Sequence, residues 1–227
     1  MKEMMKNSSS KFSGRRWTAI LLVTATLAGG GRMASGASIT ATPHDLSGKG
    51  WGTTELCKFC HTPHLAQAVA TAPLWNHQTT AIANYALYTS ATFQGASTVT
   101  QPGPTSKLCL SCHDGTVASD SFATAGVLQN GTHFMTATAT NLVGAASLGG
   151  LSRDHPISFT YDAALATADQ HLVTPASTNY VDAARLIPLF NGKMECASCH
   201  ATHDNQYGKF LRTSNAGSAL CKACHTQ

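Results

Sequence analysis

Charge and aromatic surface are both scarce in this 227-residue chain: 11% of residues are charged and 7% aromatic. Beyond residue 37 there is no basic run and no apolar run of membrane-spanning length. No cysteine there stands outside a repeated motif, and the only methionines are Met135 and Met194. The missing basic runs exclude a nucleic-acid-binding surface. Residues 91–106 and 136–150 are rich in Ala, Thr, Ser and Gly and keep no sustained helical or strand period. A polypeptide of this composition buries too little apolar side chain to fold on side chains alone.

What the chain has instead is cysteine in a fixed setting. Residues 56–64 read L-C-K-F-C-H-T-P-H, and the kernel Cys57-x-x-Cys60-His61 returns as Cys109-x-x-Cys112-His113, Cys196-x-x-Cys199-His200 and Cys221-x-x-Cys224-His225. Four copies use all eight cysteines. C-x-x-C-H is the attachment signal of a c-type haem. On one helical turn, residues three and four apart share a face, so both cysteines reach the porphyrin vinyl groups and the histidine swings under the ring to bind iron. A C-x-x-C pair also occurs in zinc sites and redox dithiols, but neither requires a histidine after every second cysteine. The cofactor expectation is four haem c, with His61, His113, His200 and His225 as proximal iron ligands.

Residues 1–37 read as a secretory signal. Lys2, Lys6, Lys11, Arg15 and Arg16 precede a short apolar run at 17–28, and Ser35-Gly36-Ala37 offers a small-residue cleavage site. The run falls short of the roughly 20 residues of a membrane span, so no span is expected after cleavage. With no cysteine before Cys57, a lipoprotein anchor is excluded. The remaining segment, 38–227, carries nine basic and ten acidic residues, a balance of −1. It reads as one tetrahaem cytochrome c domain with about 47 residues per haem. The expected fold class is mostly coil with short α-helices wrapped around four covalently bound haems and little or no β-sheet. Helices are expected at each motif and at 161–168. Gly144 to Gly150 reads as a flexible insertion, and the haem-free chain is expected to be unfolded.

The sixth iron ligand decides between an open, reactive haem and electron transfer. Met194 stands too close to Cys196 to reach across that haem, which leaves histidine. Beyond the four proximal ligands lie His44, His64, His77, His133, His155, His171 and His203. His64 and His203 each follow a proximal histidine by three residues, on the wrong side of their own porphyrin, so each would serve another haem. His155, stiffened by Pro156, and His44 complete the expected distal set of His44, His64, His155 and His203. His77 beside Trp75 is an alternative, and His133 and His171 lie in polar, solvated stretches. Spare histidines outnumber the vacant positions, so no enzyme is expected. All-histidine ligation keeps iron low-spin in both oxidation states, and without methionine the potentials should be low.

The ordered segments P-H-D-L-S (43–47), E-L-C-K-F-C-H-T-P-H (55–64), P-L-W-N-H (73–77), L-C-L-S-C-H-D-G (108–115), D-H-P-I (154–157), C-A-S-C-H-x-x-H (196–203) and L-C-K-A-C-H (220–225) resemble the doubled C-x-x-C-H multihaem cytochromes. Within these the chain is most similar to four-haem extracellular cytochromes that polymerise into conducting filaments, the outer-membrane cytochrome E type. The resemblance implies stacked bis-histidine haems in a secreted filament of identical subunits at the cell surface, reached through the periplasm. It also implies that His64 ligates a neighbour's haem, and that redox partner proteins and extracellular electron acceptors lie at either end. The other reading of the same residues is a soluble periplasmic tetrahaem electron carrier.

Overall fold

The computed structural model describes residues 38–136, 138 and 140–226, all within a compact unit spanning Gly36–Gln227. The secretory signal expected at 1–37 lies outside the described residues. Most of the described chain is coil and turn. The regular pieces are helices α1 (Pro104–His113), α2 (Ala163–Asp169), α3 (Cys196–Cys199) and α4 (Ala219–Lys222), with a few single 3-10 turns. Two antiparallel two-residue ladders join them: β1 (Ala123–Thr124) with β2 (Val127–Leu128), and β3 (Phe159–Thr160) with β4 (Lys193–Met194). Among the described residues no helix is long and apolar enough to cross a membrane.

Each helix has a local cause. Proline suits the first helical position because its missing N–H would be unpaired there, and Pro104 opens α1. Along α1, Ser106, Leu110 and Ser111 turn inward. Asp162 caps α2 by accepting the Leu165 amide at 2.8 Å, and Gln170 ends it in the left-handed conformation at φ 63°, a common helix stop. The helix begins at Ala163, two residues later than the expected start at 161. At the first motif the chain makes a turn rather than a helix, closed by the Cys60 and His61 amides on the Cys57 carbonyl at 3.1 and 2.7 Å. Pro63 follows at once and supplies no N–H to extend that turn.

Apolar side chains gather in two clusters. The larger joins Phe159, Tyr161, Leu165, Val181, Ile187, Leu189 and Met194, and Cys199 and Cys224 pack against it. The smaller joins Tyr85, Leu110 and Leu151. The β3–β4 register, Phe159 opposite Met194, delivers the chain into α3, and α3 packs on α1.

The segment 144–150 does not behave as a loose insertion. The Val143 amide bonds the His113 carbonyl and the Leu151 amide bonds the Ala86 carbonyl, each at 2.7 Å. Gly150 has φ 66°, and a Cβ there would meet the backbone N and O of Ala86 at 2.9 Å. Glycine is therefore used for close docking and not for flexibility.

Candidate haem-binding site

The four motifs share one local geometry. The histidine amide closes on the carbonyl of the first cysteine: His61 on Cys57 at 2.7 Å, His200 on Cys196 at 3.1 Å, and His225 on Cys221 at 2.9 Å. His113 is the last residue of α1. That turn places two thiols and an imidazole on one side of the backbone, which covalent haem attachment demands.

Three proximal imidazoles are oriented by main-chain carbonyls. His61 Nδ1 lies 2.9 Å from the Pro73 carbonyl, His113 Nδ1 lies 2.7 Å from that of Asn141, and His200 Nδ1 lies 2.9 Å from that of Lys209. A carbonyl only accepts, so each Nδ1 carries the proton and each Nε2 lone pair is free for a metal. The first and third motifs use the same device, a returning segment paired antiparallel to the histidine. Trp75 pairs with His61, and Leu211 with His200.

Each of three proximal histidines faces a histidine from elsewhere in the chain. Ring centroids lie 6.1 Å apart for His61 and His203, 6.1 Å for His44 and His113, and 6.4 Å for His155 and His225. Two imidazoles on opposite sides of one metal, each nitrogen about 2 Å from it, have centroids roughly 6 Å apart. The residues present therefore fit six-coordinate haem iron. Burial lowers the basicity of His44, aided by the nearby His113, and burial does the same for His155. Both are thereby held in the neutral form that ligates metal. His44 is further fixed by stacking on Phe210, with centroids 4.2 Å apart.

The other candidates are placed differently. His64 is exposed on the lip of an open cleft lined by Cys57, His61, Leu65, Ala123 and Gly126. His77 is 2% exposed. Its Nδ1 lies 2.7 Å from the Gln78 carbonyl, and its Nε2 lies 3.1 Å from the Ala118 carbonyl and 3.6 Å from Cys112 Sγ. Both ring nitrogens of His77 thus have carbonyl neighbours. His133 pairs with Asp120 at 2.8 Å and stacks on Trp51 at 4.4 Å. His171 takes its place through its own carbonyl, which accepts the Thr226 amide at 2.9 Å.

Neighbouring motifs are linked through packing. The 76–77 segment joins the first to the second, with the Asn76 amide on the Cys60 carbonyl at 2.9 Å and His77 Nε2 3.6 Å from Cys112 Sγ. The second and third come together where α1 packs on α3, and Cys199 of the third and Cys224 of the fourth pack against one apolar cluster. Burial pushes the thiols of Cys112 and Cys224 up to about 12.

Sequence reasoning missed two supports of this site. Asp114, immediately after His113, is buried and accepts from Tyr85 Oη at 2.7 Å, from Thr80 Oγ1, and from the Thr116 amide at 2.8 Å. Glu195, immediately before Cys196, is 3% exposed. Its Oε2 accepts from Ser158 Oγ at 2.9 Å and from Ser106 Oγ. Burial raises the Glu195 carboxyl, while both hydroxyls act to lower it. An acidic residue flanking each middle motif was the available signal.

The family model described as the doubled CXXCH motif matches residues 188–227, which contain the third and fourth motifs. No curated protein matches the chain. The doubled motif supports a multihaem c-type cytochrome with covalently bound haem c and a role in electron transfer.

Proposed function

We propose that the chain is a tetrahaem cytochrome whose subunits join into an extracellular filament, each subunit carrying electrons along a row of bis-histidine haems. Bound haem supplies one-electron Fe(III)/Fe(II) chemistry. The protein's own contribution is to hold, orient and space the groups. Cys57 and Cys60, Cys109 and Cys112, Cys196 and Cys199, and Cys221 and Cys224 anchor them. His61, His113, His200 and His225 bind from one side, and His203, His44 and His155 bind from the other side of the first, second and fourth. The packing that links each motif to the next supports a continuous row in sequence order. Trp75 adds a buried indole N–H with no hydrogen-bond partner, its ring edge-on to His61 at 6.0 Å. A haem carboxylate would satisfy that donor.

One observation carries the filament: among the described residues the histidine ring pairs serve three proximal histidines, and His200 is not one of them. The two C-H-x-x-H motifs are equivalent in their backbone pairing, and His203 of the third serves His61 of the first. The reciprocal bond, exposed His64 of the first motif on His200 of the third, is supplied by a second copy. Electrons then pass from subunit to subunit, from redox partners in the cell envelope to acceptors outside it. The signal segment at 1–37 provides export.

The test is negative-stain microscopy of material sheared from cells, wild type against His64→Ala. Filaments in the wild type and their loss in the variant, with haem content kept, are expected. Dispersed monomers in both samples would sink the filament and leave a soluble periplasmic carrier.

A further inference from the structure

Between α1 and α3 lies a carboxylate that ligation and attachment do not use. Glu195 Oε2 takes the Ser106 and Ser158 hydroxyls. Its side chain also takes the Ser198 amide in a capping box, and Ser198 Oγ returns the bond by accepting the Glu195 amide at 3.0 Å. Ser106 Oγ in turn accepts the Cys196 amide at 3.0 Å. A Cβ at residue 103 would stand 2.5 Å from Glu195 Oε1, so only Gly103 admits the carboxylate this close. Ser106 precedes Cys109 by one turn and Glu195 adjoins Cys196. One anionic group therefore joins the helices carrying the second and third attachment motifs.

That charge has no counter-ion in contact. Among the described residues the ion pairs are Lys58–Glu55 and His133–Asp120. The Lys193 ammonium nearby is held by Thr100 Oγ1 at 2.9 Å. A buried anion without a counter-ion is costly unless positive charge lies close by, and ferric haem carries one more positive charge than ferrous haem. Negative charge held beside iron favours the ferric state and lowers the reduction potential.

We propose that Glu195 sets the redox profile of the row: its buried charge lowers the potentials of the two haems on Cys109/Cys112 and Cys196/Cys199 relative to the outer two. The inference rests on the tetrahaem reading above. The step it tunes is the gain of one electron by one iron, with no bond made or broken.

The experiment is a spectroelectrochemical titration of the intact, assembled holoprotein at mildly alkaline pH, wild type against Glu195→Gln, with haem counted in both. Glutamine keeps the shape and the acceptor oxygen but removes the charge. Four low-spin haems are expected in both, with half of the absorbance change moving to higher potential by about tenfold in equilibrium constant, 59 mV for a one-electron step. The other half stays in place. Four low-spin haems with an unmoved curve would overturn the proposal. Fewer than four haems in the wild type would instead overturn the reading beneath it. Where only the glutamine variant loses haem, Ser158→Ala decides. It removes a hydroxyl that stabilises the carboxylate, so the same half must shift while the other half stays in place, and an unmoved curve overturns the proposal.

Discussion

His203 faces His61 across 6.1 Å with their rings inclined by 29°, although His203 stands only three residues beyond the proximal histidine of its own motif. One helical turn cannot carry a side chain around the edge of a porphyrin, so the C-H-x-x-H spacing points the second histidine at a different haem. Two motifs far apart in sequence thus meet at one pair of imidazoles.

His203→Ala should therefore open the haem on Cys57/Cys60, not the one on Cys196/Cys199. One haem per chain becomes high-spin and binds carbon monoxide, while total haem content holds. Optical and paramagnetic resonance spectra with carbon monoxide titration measure this. A fully low-spin variant would dismiss the pairing.

Tyr85→Phe removes a hydroxyl that donates to buried Asp114 at 2.7 Å. A hydrogen bond to a charged group contributes about 1.5–3 kcal/mol, and the buried carboxylate keeps only its Thr80 and Thr116 donors. The holoprotein should lose stability by that amount, read as a lowered thermal midpoint. Because Asp114 adjoins His113, the absorbance of the second haem should broaden as well. Equal midpoints in variant and wild type would remove Asp114 from the supports of this site.

Gly150→Ala tests the docking of the 144–150 segment. The left-handed φ of 66° and the 2.9 Å approach to Ala86 both oppose a side chain. Strain of this kind costs about 1–3 kcal/mol, and proteolysis should find the segment first. Unchanged protease resistance and midpoint would show that the segment does not bear on the fold.

Local chemistry was legible in the sequence and long-range pairing was not. The attachment motifs, the coil-rich fold and the α2 region follow from residue spacing and from Asp162 as a cap. The turn in place of a helix at Cys57 follows from Pro63 and was legible too, but the motif suggested a helix. The Gly144 to Gly150 stretch misled because glycine marks both flexible linkers and close packing, and only the partner surface, here Ala86, tells them apart. Which distal histidine meets which proximal one depends on contacts such as Phe210 beneath His44 that no periodicity records. Glu195 and Ser106 lie in different parts of the chain and acquire meaning only when α1 and α3 pack.

His200 yields the last prediction, because among the described residues no histidine ring faces it as one faces each of the other three proximal ligands. If a second copy supplies His64, ligation at this haem depends on assembly. Subunits dispersed at high dilution should bind one carbon monoxide per chain, and assembled material should bind none. His64→Ala should bind one per chain at every concentration, whereas His77→Ala should leave the stoichiometry of assembled material unchanged. The dependence on dilution separates the two arrangements, since an in-chain sixth ligand would give the same stoichiometry whether subunits are joined or apart. Concentration-independent, fully low-spin wild-type protein would place that ligand within the chain and remove the link between subunits.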